Sequence, residues 1–147
     1  MTIHQATRND LDYITPLFDG YRMFYRQPSD LEGARHFLKE RLQLKDSHIY
    51  FALSENKIPA GFMQLYPLFS SVSMQPMYLL NDLYVASEFR GSGVGTALIQ
   101  VAKDRCRKEG QKGLALQTEV TNSAQQLYEH LGFVKDPDLH YFWKADT

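Results

Sequence analysis

The chain has 147 residues, 44% hydrophobic and 22% charged, the balance of an ordinary globular protein folding as a single domain over residues 1–147. A formal net charge of -1 excludes the strong basic excess of a nucleic-acid binder. One cysteine, Cys106, excludes an intramolecular disulfide, and the five histidines show no paired metal-ligand spacing.

No metal is therefore expected. No apolar run approaches the length of a membrane span, and no basic-then-apolar leader opens the chain, so a cytoplasmic protein away from membranes is expected. Residues 2–6 read as a short strand. Thr7 then reads as a helix N-cap, with Asp10 in the first turn. Leu11, Ile14, Phe18 and Tyr21 recur at helical spacing, which predicts a helix over residues 8–25 that Pro16 kinks or splits. Ser29 followed by Glu32 predicts a capping box for a second helix, with Leu31, Ala34, Leu38 and Leu42 as its apolar stripe.

His48 to Leu53 and Ala60 to Phe69 read as a hairpin turning at Asn56-Lys57, with Pro67 at a bend or edge. Met77 to Val85 is a third strand of this group. The spacing of Val94, Ala97, Leu98, Val101 and Ala102 predicts a helix over residues 93–109, capped by Gly110. Leu114 to Thr118 reads as a strand. Ser123 and Gln126 form a second capping-box pattern, opening a helix through Ala124, Leu127, Tyr128 and Leu131 that Gly132 stops. Tyr141 to Lys144 reads as a last strand. The order β-α-α-β-β-β-α-β-α-β predicts an α/β (α+β) mixed sheet with helices on both faces.

The segment Arg90-Gly91-Ser92-Gly93-Val94-Gly95-Thr96 lies between a strand and a helix. Glycines let the backbone adopt positive φ and approach a ligand closely. The following helix offers unpaired N–H groups and the positive end of its dipole, which together suit a phosphate. Gly95 is followed by Thr96 with no lysine, so a nucleotide-hydrolysing P-loop does not fit. The dinucleotide spacing G-x-G-x-x-G fails at Thr96. A glycine-rich turn with no ligand is the alternative reading.

Arg90-Gly91-x-Gly93-x-Gly95 resembles the coenzyme A pyrophosphate loop of the GNAT N-acetyltransferase superfamily, R/Q-x-x-G-x-G/A. Asn81-Asp82-Leu83-Tyr84-Val85 is similar to that family's fourth strand. Asn122-x-Ala124-x-x-x-Tyr128-x-x-x-Gly132-Phe133 is similar to its second signature, although Asn122 lies one residue nearer the alanine than usual and Thr121 takes the expected place. These matches span residues 77–134 in the family's order. The run from Leu80 to Val85 and the early Tyr25 also resemble a yeast subgroup named for histone and polyamine acetylation. The resemblance implies a central mixed, mostly antiparallel sheet flanked by about four helices.

It also implies residue roles. Arg90, Gly91, Ser92, Gly93, Val94, Gly95 and Thr96 would hold the pyrophosphate of acetyl-coenzyme A (acetyl-CoA). Leu83, Tyr84 and Val85 would pair with its pantetheine arm. The Leu83 N–H would polarise the thioester carbonyl and stabilise the tetrahedral oxyanion. Tyr128 is the catalytic general acid by resemblance, since a phenol of pKa near about 10 carries a proton to give at neutral pH. Its place near its helix's apolar stripe also fits a plain core aromatic. Asn122 would contact the cofactor arm, or serve as a turn residue beside Ser123.

Many relatives carry Glu where this chain has Asn81, and an amide does not accept a proton at useful pH. The general base is therefore unassigned, with Asp82 and Glu119 as nearby carboxylates. A water chain, or an amine arriving neutral, would serve instead. Asp19, Tyr21, Phe24 and Tyr25 could pair with and cover an ammonium group, or belong to the core of an amphipathic helix.

By resemblance the chain is a homodimeric N-acetyltransferase, moving the acetyl group of acetyl-CoA to a primary amine of a small molecule or peptide by direct attack. A coenzyme A-binding sensor without turnover is an alternative, raised by Asn81. A phosphopeptide- or nucleotide-binding module is another, against which the missing lysine after Gly95 speaks.

Overall fold

The computed structural model describes residues 1–145. The chain forms two compact units, Met1–Gln117 and the residues from Thr118 onward.

In the first unit, strand β1 (Thr2–Gln5) leads to Thr7. Thr7 donates its backbone N–H to Asp10 Oδ2 at 2.8 Å, while Thr7 Oγ1 accepts from Asn9 N at 3.3 Å. The cap opens a 3-10 turn at Arg8–Asp10, which runs into helix α1 (Leu11–Phe24). The predicted first helix is thus a 3-10 turn followed by an α-helix. Helix α2 (Leu31–Leu44) begins differently from the Ser29–Glu32 expectation. Asp30 is the cap, its Oδ1 accepting from Gly33 N at 2.9 Å. Ser29 instead donates its hydroxyl to Asp19 Oδ2 at 2.7 Å, so the neighbouring carboxylate takes the helix end.

Strands β2 (His48–Leu53), β3 (Pro59–Ser70), β4 (Gln75–Val85) and β5 (Leu114–Ala115) complete a sheet in the order β1-β2-β3-β4-β5. The first three pairings are antiparallel and β4–β5 is parallel. β2 reaches along β3 only to Leu65, so Pro67, which has no N–H to give, lies where β3 has one neighbour. Ile49, Phe51, Leu53 and Phe62 form one core with Leu11, Ile14, Leu17 and Phe18 of α1 and Ala34 and Leu38 of α2. At roughly 1.5–3 kcal/mol for each large apolar side chain taken out of water, this layer is a main source of stability.

Helix α3 (Val94–Glu109) packs on β2, β3 and β4. Its Arg105 donates to Tyr50 Oη at 2.8 Å and to Glu109 Oε1 at 3.0 Å, and Tyr78 donates its hydroxyl to the same Glu109 oxygen at 2.5 Å. Tyr50 alternates with Ile49 and Phe51 along β2, so α3 covers the face opposite α1 and α2. Gly110 ends α3 at φ 66.

The second unit contains helix α4 (Ala124–His130), with Gly132 at φ 92 just beyond it. The Ser123–Gln126 capping box does not form: Asn122 Oδ1 accepts from Ala124 N at 2.9 Å instead. Residues 141–144 are not a strand, and β5 is Leu114–Ala115, shorter than the predicted Leu114 to Thr118. Tyr141, Phe142 and Trp143 favour strands only where a ladder and a packing surface await them, and here they are exposed. Among the described residues the fold is α/β: a mixed, mostly antiparallel five-stranded sheet with four α-helices, as expected apart from the last strand.

Candidate active site

The site starts from an irregularity in β4. Gln64 pairs with Asp82 but Leu65 pairs with Leu80, so Asn81 is an extra residue, a β-bulge. β5 pairs with β4 at Tyr78 and Leu79 and then stops. Beyond the bulge, Leu83, Tyr84 and Val85 have β3 as their single neighbouring strand among the described residues. One edge of this half-buried stretch therefore offers main-chain donors and acceptors with no strand opposite them. The Val85 carbonyl is an exception, since it accepts from Arg90 Nε at 3.1 Å.

After Val85 the chain passes through a 3-10 turn at Ser87–Phe89 into the glycine segment. Gly91 and Gly93 have φ 78 and 88, in the left-handed region that disfavours side chains. A Cβ at either position would meet nothing within 4 Å, so the space over them is open. Val94 is buried and seats the start of α3, while Gly95 and Thr96 are half-buried in its first turn. That turn holds no acidic residue, so the positive helix end has no carboxylate of its own. Ser92 donates its hydroxyl to the Phe89 carbonyl. The Arg90 guanidinium lies 5.8 Å from the ring centres of Phe24 and Tyr84. A charged group, an open backbone cradle and a free helix end thus converge beside the open strand edge. This fits a phosphate-bearing chain that runs on as an extended arm.

The sequence comparisons agree with this geometry: the Acetyltransferase (GNAT) family matches residues 14–133. The chain belongs to the GNAT acetyltransferase family. It is 50% identical over 143 residues to the uncharacterized N-acetyltransferase YhfO of Bacillus subtilis, covering 96% of this chain and 95% of that one. A crystal structure of a probable acetyltransferase superposes with a TM-score of 0.91 at 41% identity, over 100% of this chain and 99% of that chain. N-alpha-acetyltransferase 30 of Schizosaccharomyces pombe is 36% identical over 66 residues, 44% of each chain. This is a GNAT-type acetyltransferase, an enzyme.

In this GNAT chain the remaining expected residues fall into two groups. Asp82 is buried, 1% exposed, on the face of the sheet towards α1 and α2. Its Oδ2 accepts from Gln64 Nε2 and its Oδ1 from Asn81 Nδ2, both at 2.6 Å. Burial pushes the Asp82 carboxyl up to about 6, against the downward pull of those two hydrogen bonds. Gln64 is held in turn by Ser47, whose hydroxyl donates to Oε1 at 2.8 Å. Tyr21 donates its hydroxyl to the Asn81 carbonyl at 3.1 Å, and the Tyr25 ring packs edge-on against Tyr21 at 5.1 Å. Tyr25 therefore stands near the bulge. Asp19 does not serve as an open anion for an ammonium group. It is 5% exposed, and its oxygens accept from Ser29 Oγ at 2.7 Å and Asp30 N at 2.8 Å, fixing the α1–α2 connection.

Glu119, Asn122 and Tyr128 belong to the second unit. Glu119 supplies its carbonyl to Asn122 N at 2.9 Å, and Asn122 Oδ1 accepts from Ala124 N at 2.9 Å just ahead of α4. Tyr128 is half-buried, with its ring edge-on to Phe133 at 6.0 Å. Among the described residues no group of three or more His, Cys, Asp or Glu is placed to hold a metal ion, and no helix is long and apolar enough to cross a membrane. Gln64 and Ser47 were not among the residues expected at the site. The available signal was a lone glutamine inside the apolar run Phe62-Met63-Gln64-Leu65, where a buried polar group requires a partner.

Proposed function

We propose that this acetyltransferase uses acetyl-CoA and transfers its acetyl group to a primary amine by direct attack. The observation that carries this reading is the open edge of β4 at Leu83–Val85 running directly into the glycine turn and the start of α3. The thioester would supply an acyl group already activated for attack. The backbone N–H groups of Gly91 to Thr96, with Arg90 beside them, would hold the pyrophosphate. Main-chain groups of Leu83 to Val85 would pair with the arm, and the Leu83 N–H would polarise the thioester carbonyl. Tyr128 would give a proton to the departing sulfur, and Asn122 would lie along the cofactor arm.

Tyr25, Asp82 and Glu119 remain the proposed acceptor side, a small-molecule or peptide amine being the partner. The partial likeness to N-alpha-acetyltransferase 30 supports keeping a peptide N-terminus among the acceptors tested. The family and its named activity favour turnover over a cofactor sensor. A single catalytic domain, a homodimer and a cytoplasmic location complete the proposal, and sedimentation at micromolar protein tests the dimer.

The cofactor assignment is tested by thermal melting with and without acetyl-CoA. A ligand that binds only the folded chain raises Tm by mass action, by about 2.7 kcal/mol of stability at a hundredfold excess over Kd. No shift at millimolar acetyl-CoA would overturn the assignment.

A further inference from the structure

The surroundings of Asn81 give its side-chain amide a defined direction. Asn81 is the exposed, extra residue of the β4 bulge. Its backbone is fixed by the Tyr21 hydroxyl on its carbonyl at 3.1 Å. Its side chain is fixed by Nδ2 donating to Asp82 Oδ1 at 2.6 Å. The other Asp82 oxygen accepts from Gln64 Nε2 at 2.6 Å, and Gln64 Oε1 accepts from Ser47 Oγ at 2.8 Å. Asp82, Gln64 and Ser47 are 1%, 0% and 7% exposed. Above about pH 6, where Asp82 is ionised, its carboxylate has no proton to give, so both amides turn their nitrogens towards it. Ser47 holds Gln64 in the same sense by donating to its oxygen. The buried row therefore leaves one orientation for Asn81, with Oδ1 directed away from Asp82.

Resting on the acetyltransferase reading, we propose that Asn81 Oδ1 docks the acceptor amine by accepting one of its N–H bonds, and that Asp82, Gln64 and Ser47 are positioning residues that keep this oxygen outward. The docking residue and Leu83, whose N–H would hold the thioester carbonyl, are two residues apart on β4, at the bulge and just beyond it. That is a separation at which an amine held by the first can face a carbonyl held by the second. An amide oxygen orients the amine and takes no proton from it. The nitrogen lone pair forms the new C–N bond, the C–S bond breaks with its electrons on sulfur, and the surplus ammonium proton leaves to water. The acceptor is thus a primary amine that attacks in its neutral form. Tyr25, packed on Tyr21, borders the same corner.

A double-mutant cycle on the acceptor constants tests this. Asn81→Ala removes the docking oxygen, and the acceptor KM should rise about 10-fold, the scale of one hydrogen bond. The acetyl-CoA-induced rise in Tm should be kept. Asp82→Asn carries an amide that can donate as well as accept, so it releases the constraint on Asn81. The acceptor KM should rise by a similar or smaller factor. The double variant should be no worse than Asn81→Ala alone, because Asp82 acts through Asn81. If Asp82→Asn does not fold, the exposed Asn81→Ala still decides: an unchanged acceptor KM overturns the inference. Additive losses in the cycle overturn it as well. A wild-type protein that acetylates none of the amines offered contradicts the acetyltransferase reading itself, whereas active wild type with an unmoved Asn81→Ala KM contradicts only the docking atom.

Discussion

Gly61 lies under the end of β4 so closely that a Cβ there would come within 2.8 Å of the Tyr84 carbonyl oxygen. The same Cβ would stand 3.0 Å from Val94 Cγ1. The strand that carries the open edge and the helix that follows the glycine turn thus meet over a residue without a side chain. Backbone cannot rotate aside as a long side chain can. Gly61→Ala should therefore cost roughly 1–3 kcal/mol of stability, the usual scale of overpacking. It should also weaken acetyl-CoA binding by shifting the β4–α3 junction. Urea unfolding and a cofactor titration on the same variant measure both effects.

The glycine turn can be separated from backbone strain by a matched control. Gly93 and Gly110 both have positive φ, 88 and 66, and a Cβ at either meets nothing within 4 Å. Alanine at either should cost about 1–2 kcal/mol from the left-handed backbone alone. Gly93→Ala also fills the space over the start of α3, whereas Gly110→Ala sits past its end. Both variants should melt lower, and Gly93→Ala alone should lose most of the acetyl-CoA-induced rise in Tm.

The buried Asp82 carboxyl makes a pH prediction. Its pKa is raised from 3.8 to about 6 in the folded chain, chiefly by burial. Between those values the folded state holds more protons than the unfolded state. The contribution of this group is thus fully present below about pH 4 and is lost as pH rises through about 6. Asp82→Asn has no such titration. The difference in unfolding free energy between wild type and Asp82→Asn should move by on the order of 3 kcal/mol between about pH 4 and pH 7, against wild type at the higher pH. Urea titrations at the two pH values measure it, and a constant difference would contradict the buried carboxyl.

Much of this architecture was readable from residue order. The apolar runs of β2, β3 and β4 and the 3.6-residue stripe of α3 each reflect one local periodicity, so their ends fall within a few residues of expectation. The caps were less readable. Ser29–Glu32 and Ser123–Gln126 fit the capping-box spacing, yet Asp30 accepts from Gly33 N and Asn122 from Ala124 N, and three-dimensional neighbours such as Asp19, which holds Ser29, decide which side chain is free to cap. The aromatic run at Tyr141 to Trp143 carried strand propensity but no partner ladder, which propensity cannot supply. The Ser47–Gln64–Asp82–Asn81 row joins three separate stretches of chain across a bulge, and no spacing rule within one element reveals it.

Tyr128→Phe tests chemistry against packing. The substitution keeps the ring that meets Phe133 and removes only the hydroxyl. If Tyr128 donates the proton to sulfur, kcat should fall roughly 10²-fold or more, with acetyl-CoA affinity little changed. The residual rate should then depend more steeply on the acidity of the leaving thiol. Wild-type kcat under conditions where chemistry limits turnover would return Tyr128 to a packing role.

The most direct measurement is release of free thiol from acetyl-CoA in the presence of a panel of primary amines, with the acetylated product identified by mass. The panel should include diamines, amino acids and peptides with free N-termini. At least one amine should accelerate thiol release well above the rate of acetyl-CoA hydrolysis and appear as its N-acetyl derivative, and Gly93→Ala should abolish most of that rate. Thiol release at the hydrolysis rate with every amine, in a protein whose Tm acetyl-CoA leaves unchanged, would contradict acetyl transfer by this chain.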